Sequence, residues 1–160
     1  MDYVFSYASP LGPITLASDG EALIGLWFDG QAHDRATLSP SWEEKRLPLF
    51  DEAARWLDLF FAGQLPDFTP KLAPRGTAFQ QAVWEKLRTI PYGKTTTYGE
   101  LARALNCPSA YRAVGGAVGR NPLSLLIPCH RVLGADGRLT GYAGGLQRKQ
   151  WLLALEGVDP

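Results

Sequence analysis

Residues 97–119 read TYGELARALNCPSAYRAVGGAVG. Thr97 followed three positions later by Glu100 is a capping box, which predicts that a short helix begins at this point. An Asn-Cys-Pro sequence ends that helix, and Ser109 is expected to cap a second helix that runs from residue 110 to about residue 119. Two short helices joined by a turn of three or four residues are typical of a helix-turn-helix, so we expect this motif in the second half of the chain.

The second of these helices consists mostly of very small residues, among them Ala113, Gly115 and Gly116. A glycine in a helix interior costs roughly 1 kcal/mol relative to alanine, so this composition needs a reason. Either another helix packs tightly against the backbone, or a nucleic-acid groove approaches it, with Arg112 and Arg120 reaching phosphates or bases. The distribution of charge along the chain favours the nucleic acid.

The chain has no formal net charge, but its charged residues are distributed unevenly. Residues 1–70 contain four Lys/Arg and eleven Asp/Glu, whereas residues 71–120 contain eight Lys/Arg and two Asp/Glu. A basic segment of this kind is typical of a face that binds a polyanion. Specific base recognition is not expected, because the second helix begins with Ala110 and Tyr111 rather than with long polar side chains. Binding of DNA without such recognition suggests chemistry on damaged or modified bases.

A candidate reactive centre lies at residues 127–132, which read IPCHRV. Cys129 and His130 are neighbours there, although the chain has only two cysteines and two histidines. Pro128 has no N–H for a sheet hydrogen bond, which predicts an extended loop that presents the sulfur. Only a thiolate is strongly nucleophilic, so we expect the site to lower the pKa of the thiol, with His130 as a base and Arg131 as a nearby positive charge.

The first part of the chain predicts a small sheet covered by a helix. Three segments separated by Pro/Gly and Asp-Gly turns predict an antiparallel meander of three strands: residues 3–9, 14–18 and 22–28. Residues 31–46 are polar and predict an irregular segment. Residues 49–62 have the apolar spacing of an amphipathic helix that lies on the sheet. No functional site is expected within residues 1–63, whose aromatic side chains are assigned to the core.

Three prolines mark residues 64–74 as a linker, and Thr77 with Gln80 then forms a further capping box that opens a helix. We therefore expect an N-terminal domain at residues 1–70 and a C-terminal domain at residues 71–160.

The composition is that of a soluble globular protein, with 160 residues of which 46% are hydrophobic. The sequence has no run of about 18 apolar residues and does not begin like a signal peptide, so we expect a cytoplasmic protein that does not contact membranes. Two cysteines without close spacing predict free thiols and no metal site, and Cys107 is expected to be an inert packed thiol.

A series of motifs in the second half resembles the O6-alkylguanine-DNA alkyltransferases, also called methylated-DNA–protein-cysteine methyltransferases. The segments that support the resemblance are Tyr98, residues 112–117 (RAVGGA), 121–122 (NP), 127–132 (IPCHRV), 141–146 (GYAGGL) and 152–157 (LLALEG). The resemblance extends from about Gly76 to Gly157, whereas residues 1–70 are similar to the family's ribonuclease-H-like domain only in their order of strands and helix. It implies an α/β N-terminal domain with a small antiparallel sheet, followed by a mostly α C-terminal domain with a helix-turn-helix.

The resemblance also implies an activity. The alkyl group of O6-alkylguanine in DNA, with O4-alkylthymine as a further candidate substrate, would be transferred directly and irreversibly to Cys129. Each molecule would act once, and neither a cofactor nor a metal would be needed. The partner would be alkylated double-stranded DNA, and the protein would act as a monomer.

Individual residues receive roles from the same resemblance. Cys129 would accept the alkyl group, and His130, held by Glu156, would take the thiol proton through a water molecule. Tyr98 would crowd the DNA phosphate and donate a proton to the departing guanine, and Asn121 would tie the recognition helix to the cysteine loop. Arg112 would contact DNA by filling the gap left by the extruded base. The other implied DNA contacts are made by Ala113, Gly115, Gly116 and Arg120. The implied contacts to guanine are made by Cys129, Val132, Tyr142 and Ala143.

The sequence departs from the family pattern at two positions. Ala143 stands where some members have serine and Ser124 where others have proline, so contacts to O6 and the range of accepted alkyl groups are expected to differ. The zinc-binding cysteines of relatives that regulate transcription are absent, which predicts repair without gene regulation.

Two alternatives from other functional classes remain. A non-catalytic protein that binds alkyl lesions would evert the base without taking the alkyl group, and the presence of Cys129 argues against it. A Cys/His hydrolase would use Cys129 and His130 as a dyad, but it leaves the basic helix-turn-helix unexplained.

Overall fold

The computed structural model describes residues 1–158. The strands of its N-terminal half are β1 at Asp2–Ser9, β2 at Gly12–Ser18, β3 at Leu23–Phe28 and β4 at Trp42–Glu44. They form one sheet in the order β3-β2-β1-β4, and the antiparallel pairing of β1, β2 and β3 confirms the predicted meander. β4 pairs parallel with β1 inside residues 31–46, where the polar sequence predicts no strand. All residues of β4 are exposed, so its pairing with β1 defines it rather than its own propensity.

Helix α1 spans Pro48–Phe61 and packs on this sheet, as its apolar spacing predicts. Pro48 lies in the first turn, where its missing N–H breaks no helical hydrogen bond. On the buried face, the rings of Trp56 and Phe60 stack with their centroids 5.2 Å apart. Phe60 also meets the ring of His130 edge-on at 6.1 Å, so the N-terminal helix extends as far as the Cys/His segment.

The second half is mostly helical. Its helices are α2 at Ala78–Leu87, α3 at Tyr98–Ala104, α4 at Tyr111–Gly119 and α5 at Leu146–Leu155. Thr77 and Gln80 form the predicted capping box of α2, and α3 with α4 forms the predicted helix-turn-helix. At α3, Thr97 accepts from the Glu100 N–H, but the Glu100 carboxylate lies beside the Thr96 hydroxyl, so only half of that capping box is present. None of the helices within residues 1–158 combines the length and apolar character that crossing a bilayer requires.

The start of α4 differs from the prediction. Ser109 does not cap this helix, because it lies inside a 3-10 turn at Pro108–Ala110, and Ala110 precedes α4 without any side-chain cap. Pro108 occupies the first position of the turn, where its fixed φ is favourable. Because of this turn, α4 begins at Tyr111 rather than at residue 110.

Two short strands that the sequence does not predict join the helix-turn-helix to the Cys/His segment. β5 at Thr96–Thr97 pairs parallel with β6 at Val132–Leu133. Between Pro128 and β6 the chain forms a 3-10 turn at Cys129–Arg131. The prediction that Pro128 keeps this segment out of a central strand is correct, but the expectation of an extended loop is wrong, because the side chains of the turn make long-range contacts that hold it compact.

One hydrophobic core crosses both halves of the chain and includes buried side chains from β2, β3, α1, α2, α4 and α5. β3 also bonds to the second half through its backbone, since Leu26 N donates to Pro122 O at 2.8 Å and Ser124 N donates to Leu26 O at 3.1 Å. Residues 71–73 of the predicted linker bond to β3 as well. A domain boundary near residue 70 stays a prediction, and the two sides of that boundary are packed together.

The Thr77→Ala variant is expected to be less stable by about 1 kcal/mol, because Thr77 Oγ1 accepts from Gln80 N at 3.1 Å and satisfies a helix-end N–H. The measurement is urea unfolding followed by circular dichroism. Thr69→Ala is the matched control, since Thr69 is exposed and lies outside any helix. Equal unfolding midpoints for the two variants would show that the Thr77 side chain does not stabilise the start of α2.

Candidate active site

A pocket of about 230 Å³ lies between the helix-turn-helix and the Cys/His segment. Several residues that the sequence singled out line its wall: Tyr98, Gly115, Cys129, Tyr142 and Ala143. The wall also contains Ala32, His33, Val118, Gly119 and Gly141. Only 5% of Cys129 is exposed, so the sulfur lies at the bottom of the pocket.

Two wall residues, Ala32 and His33, come from the N-terminal half. Ala32 N donates a hydrogen bond to Ala143 O at 3.0 Å, which fixes this loop against the opposite half of the chain. The expectation that residues 1–63 contain no part of a site is therefore wrong. No motif marks these two residues, because only tertiary packing brings them to the pocket.

The other predicted site residues lie outside the wall in two groups. Asn121, His130, Val132 and Glu156 are buried behind it. Arg112, Ala113, Gly116 and Arg120 are exposed on or directly after α4. A Cβ atom built on Gly116 would meet no atom within 4 Å apart from its chain neighbours and its own helix backbone, so tight packing against another helix does not explain this glycine and its backbone is open to a ligand.

Burial raises the pKa of the Cys129 thiol. The nearby polar side chains of Asn121 and Ser124, together with the positive charge of Lys149, offset only part of this effect. The expectation that the site lowers the pKa of the resting thiol is therefore not met, because a buried sulfur loses the hydration that a thiolate needs. The thiol keeps its proton until a base removes it.

His130 is fully buried, and its Nε2 lies 2.5 Å from Glu156 Oε2. Burial opposes ionisation of Glu156, but hydrogen bonds from His130 and Arg131 outweigh burial and lower the pKa of this carboxyl to about 2. Burial lowers the pKa of His130, so the imidazole is neutral at rest. Because Nε2 faces a carboxylate, we assign the proton to Nε2 and the lone pair to Nδ1. Nδ1 has no hydrogen-bond partner in the part of the chain that is described, so it is free to accept a proton.

Arg131 is directed to Glu156 rather than to the thiol, in contrast to the sequence-based expectation. Its Nε donates to Glu156 Oε1 at 2.8 Å and its Nη2 donates to Oε2 at 3.1 Å. The remaining contacts join a third segment, since Arg131 Nη1 donates to Ile90 O at 2.8 Å and Gly93 N donates to Glu156 Oε1 at 2.9 Å. One carboxylate thus connects the cysteine turn, the end of α5 and the turn after α2.

Lys149 is a buried charged residue that the sequence analysis missed. Its Nζ donates to Thr140 O at 2.6 Å and to Gly141 O at 3.1 Å, which supports the segment that forms the pocket wall. Burial lowers the pKa of Lys149 to about 8. A signal was present in the sequence, because Lys149 precedes the buried Leu152 and Leu153 at helical spacing and so lies on the inner face of α5.

Asn121 follows α4 and binds two backbone groups ahead of the cysteine turn. Its Nδ2 donates to Ile127 O at 2.8 Å, and its Oδ1 accepts from Leu123 N at 3.0 Å. Tyr98 opens α3, and its hydroxyl donates a long hydrogen bond of 3.5 Å to Gly141 O. Burial raises the pKa of Tyr98, so the phenol keeps its proton at neutral pH.

Metal binding has no support from the geometry of residues 1–158, in which no three His, Cys, Asp or Glu side chains are grouped closely enough to hold an ion. Both Cys107 and Cys129 are free thiols.

Comparisons with known proteins cover both halves of the chain. Residues 3–74 match the family described as 6-O-methylguanine DNA methyltransferase, ribonuclease-like domain, and residues 78–158 match the DNA binding domain of the same description. The methylated-DNA–protein-cysteine methyltransferase of Methanosarcina acetivorans is 50% identical over 97% of this chain and 98% of its own length. A protein of the same name from Haemophilus influenzae is 46% identical over 98% of this chain and 87% of its own length. The crystal structure of Mycobacterium tuberculosis OGT in complex with DNA has a TM-score of 0.87 at 46% identity, over 96% of this chain and 92% of that chain.

We expect the free energy of unfolding to depend on pH in the acid range because of Glu156. Its pKa falls from 4.5 to about 2 on folding, so its stabilising contribution is complete above pH 4.5 and is lost as the pH falls toward 2. A shift of this size corresponds to about 3 kcal/mol. Glu156→Gln should abolish this part of the pH dependence and lower stability at neutral pH, because Arg131 loses its charged partner.

The measurement is the free energy of unfolding in urea across that pH range. Glu43→Gln serves as the control, because Glu43 is an exposed glutamate at the sheet edge. An unchanged acid dependence in Glu156→Gln would show that the buried carboxylate does not have the low pKa assigned to it.

Proposed function

The chain belongs to the 6-O-methylguanine DNA methyltransferase family, and we propose that it repairs DNA by moving the alkyl group of an O6-alkylguanine directly onto Cys129. The main support is the position of Cys129, which lies at the bottom of a pocket beside the exposed face of α4. The His130–Glu156 pair is buried behind the wall of this pocket. A thiol at this depth reacts only with a group that enters the pocket. The target base must therefore leave the duplex.

Proton removal from the thiol starts the reaction. The Cys129 proton passes through a water molecule to Nδ1 of the neutral His130, and the imidazolium that forms faces the ionised Glu156. In a buried site this charge pair stabilises the product of the proton transfer strongly. Lys149 adds a positive charge that favours the developing thiolate.

The thiolate then displaces the guanine. A bond forms between Cys129 Sγ and the alkyl carbon as the bond from that carbon to O6 breaks, and the electron pair of the broken bond remains on the guanine. Tyr98 lines the pocket and holds its proton, so it is placed to protonate the departing base. The backbone around Tyr142 and Ala143, with groups at Cys129 and Val132, is proposed to bind the guanine edge.

The alkyl group stays on the protein. The product is a thioether, and the described residues that line the pocket include no carboxylate and no second cysteine to release it. We infer one turnover for each molecule, without a cofactor.

DNA binding is assigned to the small-residue face of α4. Ala113 and Gly116 are exposed and allow a groove to approach the helix backbone closely. Arg112 lies over the ring of Tyr111 at 5.9 Å and is proposed to move into the gap left by the everted base. Arg120 is proposed to contact a phosphate.

The finer points of this assignment are also proposals. They are O4-alkylthymine as a second substrate, double-stranded DNA as the form that is bound, action as a monomer in the cytoplasm, and Asn121 as the residue that positions the cysteine turn against α4.

Mass spectrometry tests the transfer. After mixing with a duplex that contains one O6-methylguanine, the peptide with Cys129 should gain one methyl group, and methylated protein should never exceed the lesion supplied. Cys107→Ser should behave as the wild type, because Cys107 lies outside the pocket wall, whereas Cys129→Ser should gain no methyl group. Tight binding without modification would identify a lesion-binding protein, and repeated turnover would favour a hydrolase.

The role of Tyr98 predicts a slower chemical step in Tyr98→Phe. Loss of a general acid lowers the single-turnover rate constant by about two orders of magnitude. Tyr111→Phe is the control, since Tyr111 is an exposed tyrosine on α4 that does not line the pocket. Equal rate constants for both variants at saturating protein would show that Tyr98 supplies no proton.

A further inference from the structure

We propose that the N-terminal loop at residues 31–35 is part of the DNA interface, and that His33 binds the sugar-phosphate backbone of the everted nucleotide at the mouth of the pocket. This inference rests on the proposed function. It extends that function to a part of the chain that lies outside the helix-turn-helix.

The depth of the pocket determines where the parts of an everted nucleotide lie. If the base enters with its O6 substituent toward Cys129 at the bottom of the pocket, the deoxyribose and its phosphates remain at the opening, because they stay covalently attached to the DNA. Ala32 and His33 line the same pocket but are exposed, which places them at this opening. The backbone of an everted nucleotide must pass next to them.

The surface next to the pocket opening carries an exposed cation. His33 also borders an adjoining groove of about 520 Å³ that contains Arg75 and Arg120. Arg75 is paired with Asp2 through two hydrogen bonds of 2.8 and 2.9 Å, so much of its charge is balanced. Arg120 follows α4 directly and is exposed. His33 therefore lies between the base pocket and an exposed cation, an arrangement suited to a bound phosphodiester.

Hydrogen bonds hold the loop at residues 31–35 in place before any ligand binds. Gln31 is buried, and its Oε1 accepts from Phe28 N at 2.9 Å, while Ala32 N donates to Ala143 O at 3.0 Å. His33 has a φ of 59°, in the left-handed region that costs free energy for a residue with a side chain. Surrounding hydrogen bonds maintain this conformation, which fixes the start of the His33 side chain at the opening.

The test compares two substrates that present the same benzyl group to Cys129. One is the free base O6-benzylguanine, which has no sugar-phosphate, and the other is O6-benzylguanine within a duplex. The measured quantity is the ratio of the two second-order rate constants, duplex over free base. A general effect on folding or on the pocket changes both rate constants and cancels in the ratio.

His33→Ala is expected to lower this ratio about tenfold, the effect of losing a hydrogen bond to a charged group. His33→Asn is the matched variant, because asparagine keeps a donor and tolerates a positive φ, and it should retain a higher ratio than His33→Ala. An unchanged ratio in His33→Ala would overturn the proposal, whether both rate constants fall together or neither changes. If the wild type transfers the benzyl group from neither substrate, the ratio is measured with O6-methylguanine in its place, and if no methyl group is transferred from the duplex the proposed function itself fails and this inference fails with it.

Discussion

The buried carboxylate of Glu156 is the group on which the arrangement of the site depends. Removing a charge from water costs several kcal/mol, and this cost is offset only when the charge is fully paired. Glu156 meets that condition through Arg131, His130 and the N–H of Gly93. These partners come from two distant segments, so the carboxylate can be buried only when the end of α5, the cysteine turn and the turn after α2 are assembled together.

This pairing also determines the chemistry that is available to the thiol. With Arg131 on the carboxylate, Glu156 remains ionised, and His130 can stay neutral with its Nε2 proton directed to Glu156. In the proposed mechanism the proton-accepting atom is then Nδ1, which has no hydrogen-bond partner in the described chain. A protonated thiol and a neutral base are stable in this water-poor site. In the proposed mechanism the thiol therefore loses its proton only when a substrate occupies the pocket.

The pocket itself depends on contacts between the two halves of the chain. β3 bonds to the segment that leads from α4 to the cysteine turn, and Ala32 bonds to Ala143 in the wall. The buried Lys149 supports the same wall from the opposite side by binding the carbonyl groups of Thr140 and Gly141. The family's DNA-binding half thus relies on the N-terminal half for part of its site, which gives residues 1–74 a role beyond filling the core.

By itself, the sequence determined the features that local chemistry controls. Alternating residues and Asp-Gly turns specify the meander, helical spacing specifies α1, and the Thr77–Gln80 pair specifies the start of α2. The neighbouring Cys129 and His130 indicated a candidate reactive centre, because two scarce and reactive side chains in one loop are informative without any structure. Tertiary structure decided the features that depend on partners distant in sequence. β4, β5 and β6 exist only through pairing, the raised pKa of Cys129 arises from burial, and Ala32 and His33 join the pocket because packing brings their loop there. Pairing, burial and packing depend on the whole folded chain, so no local pattern of residues specifies them.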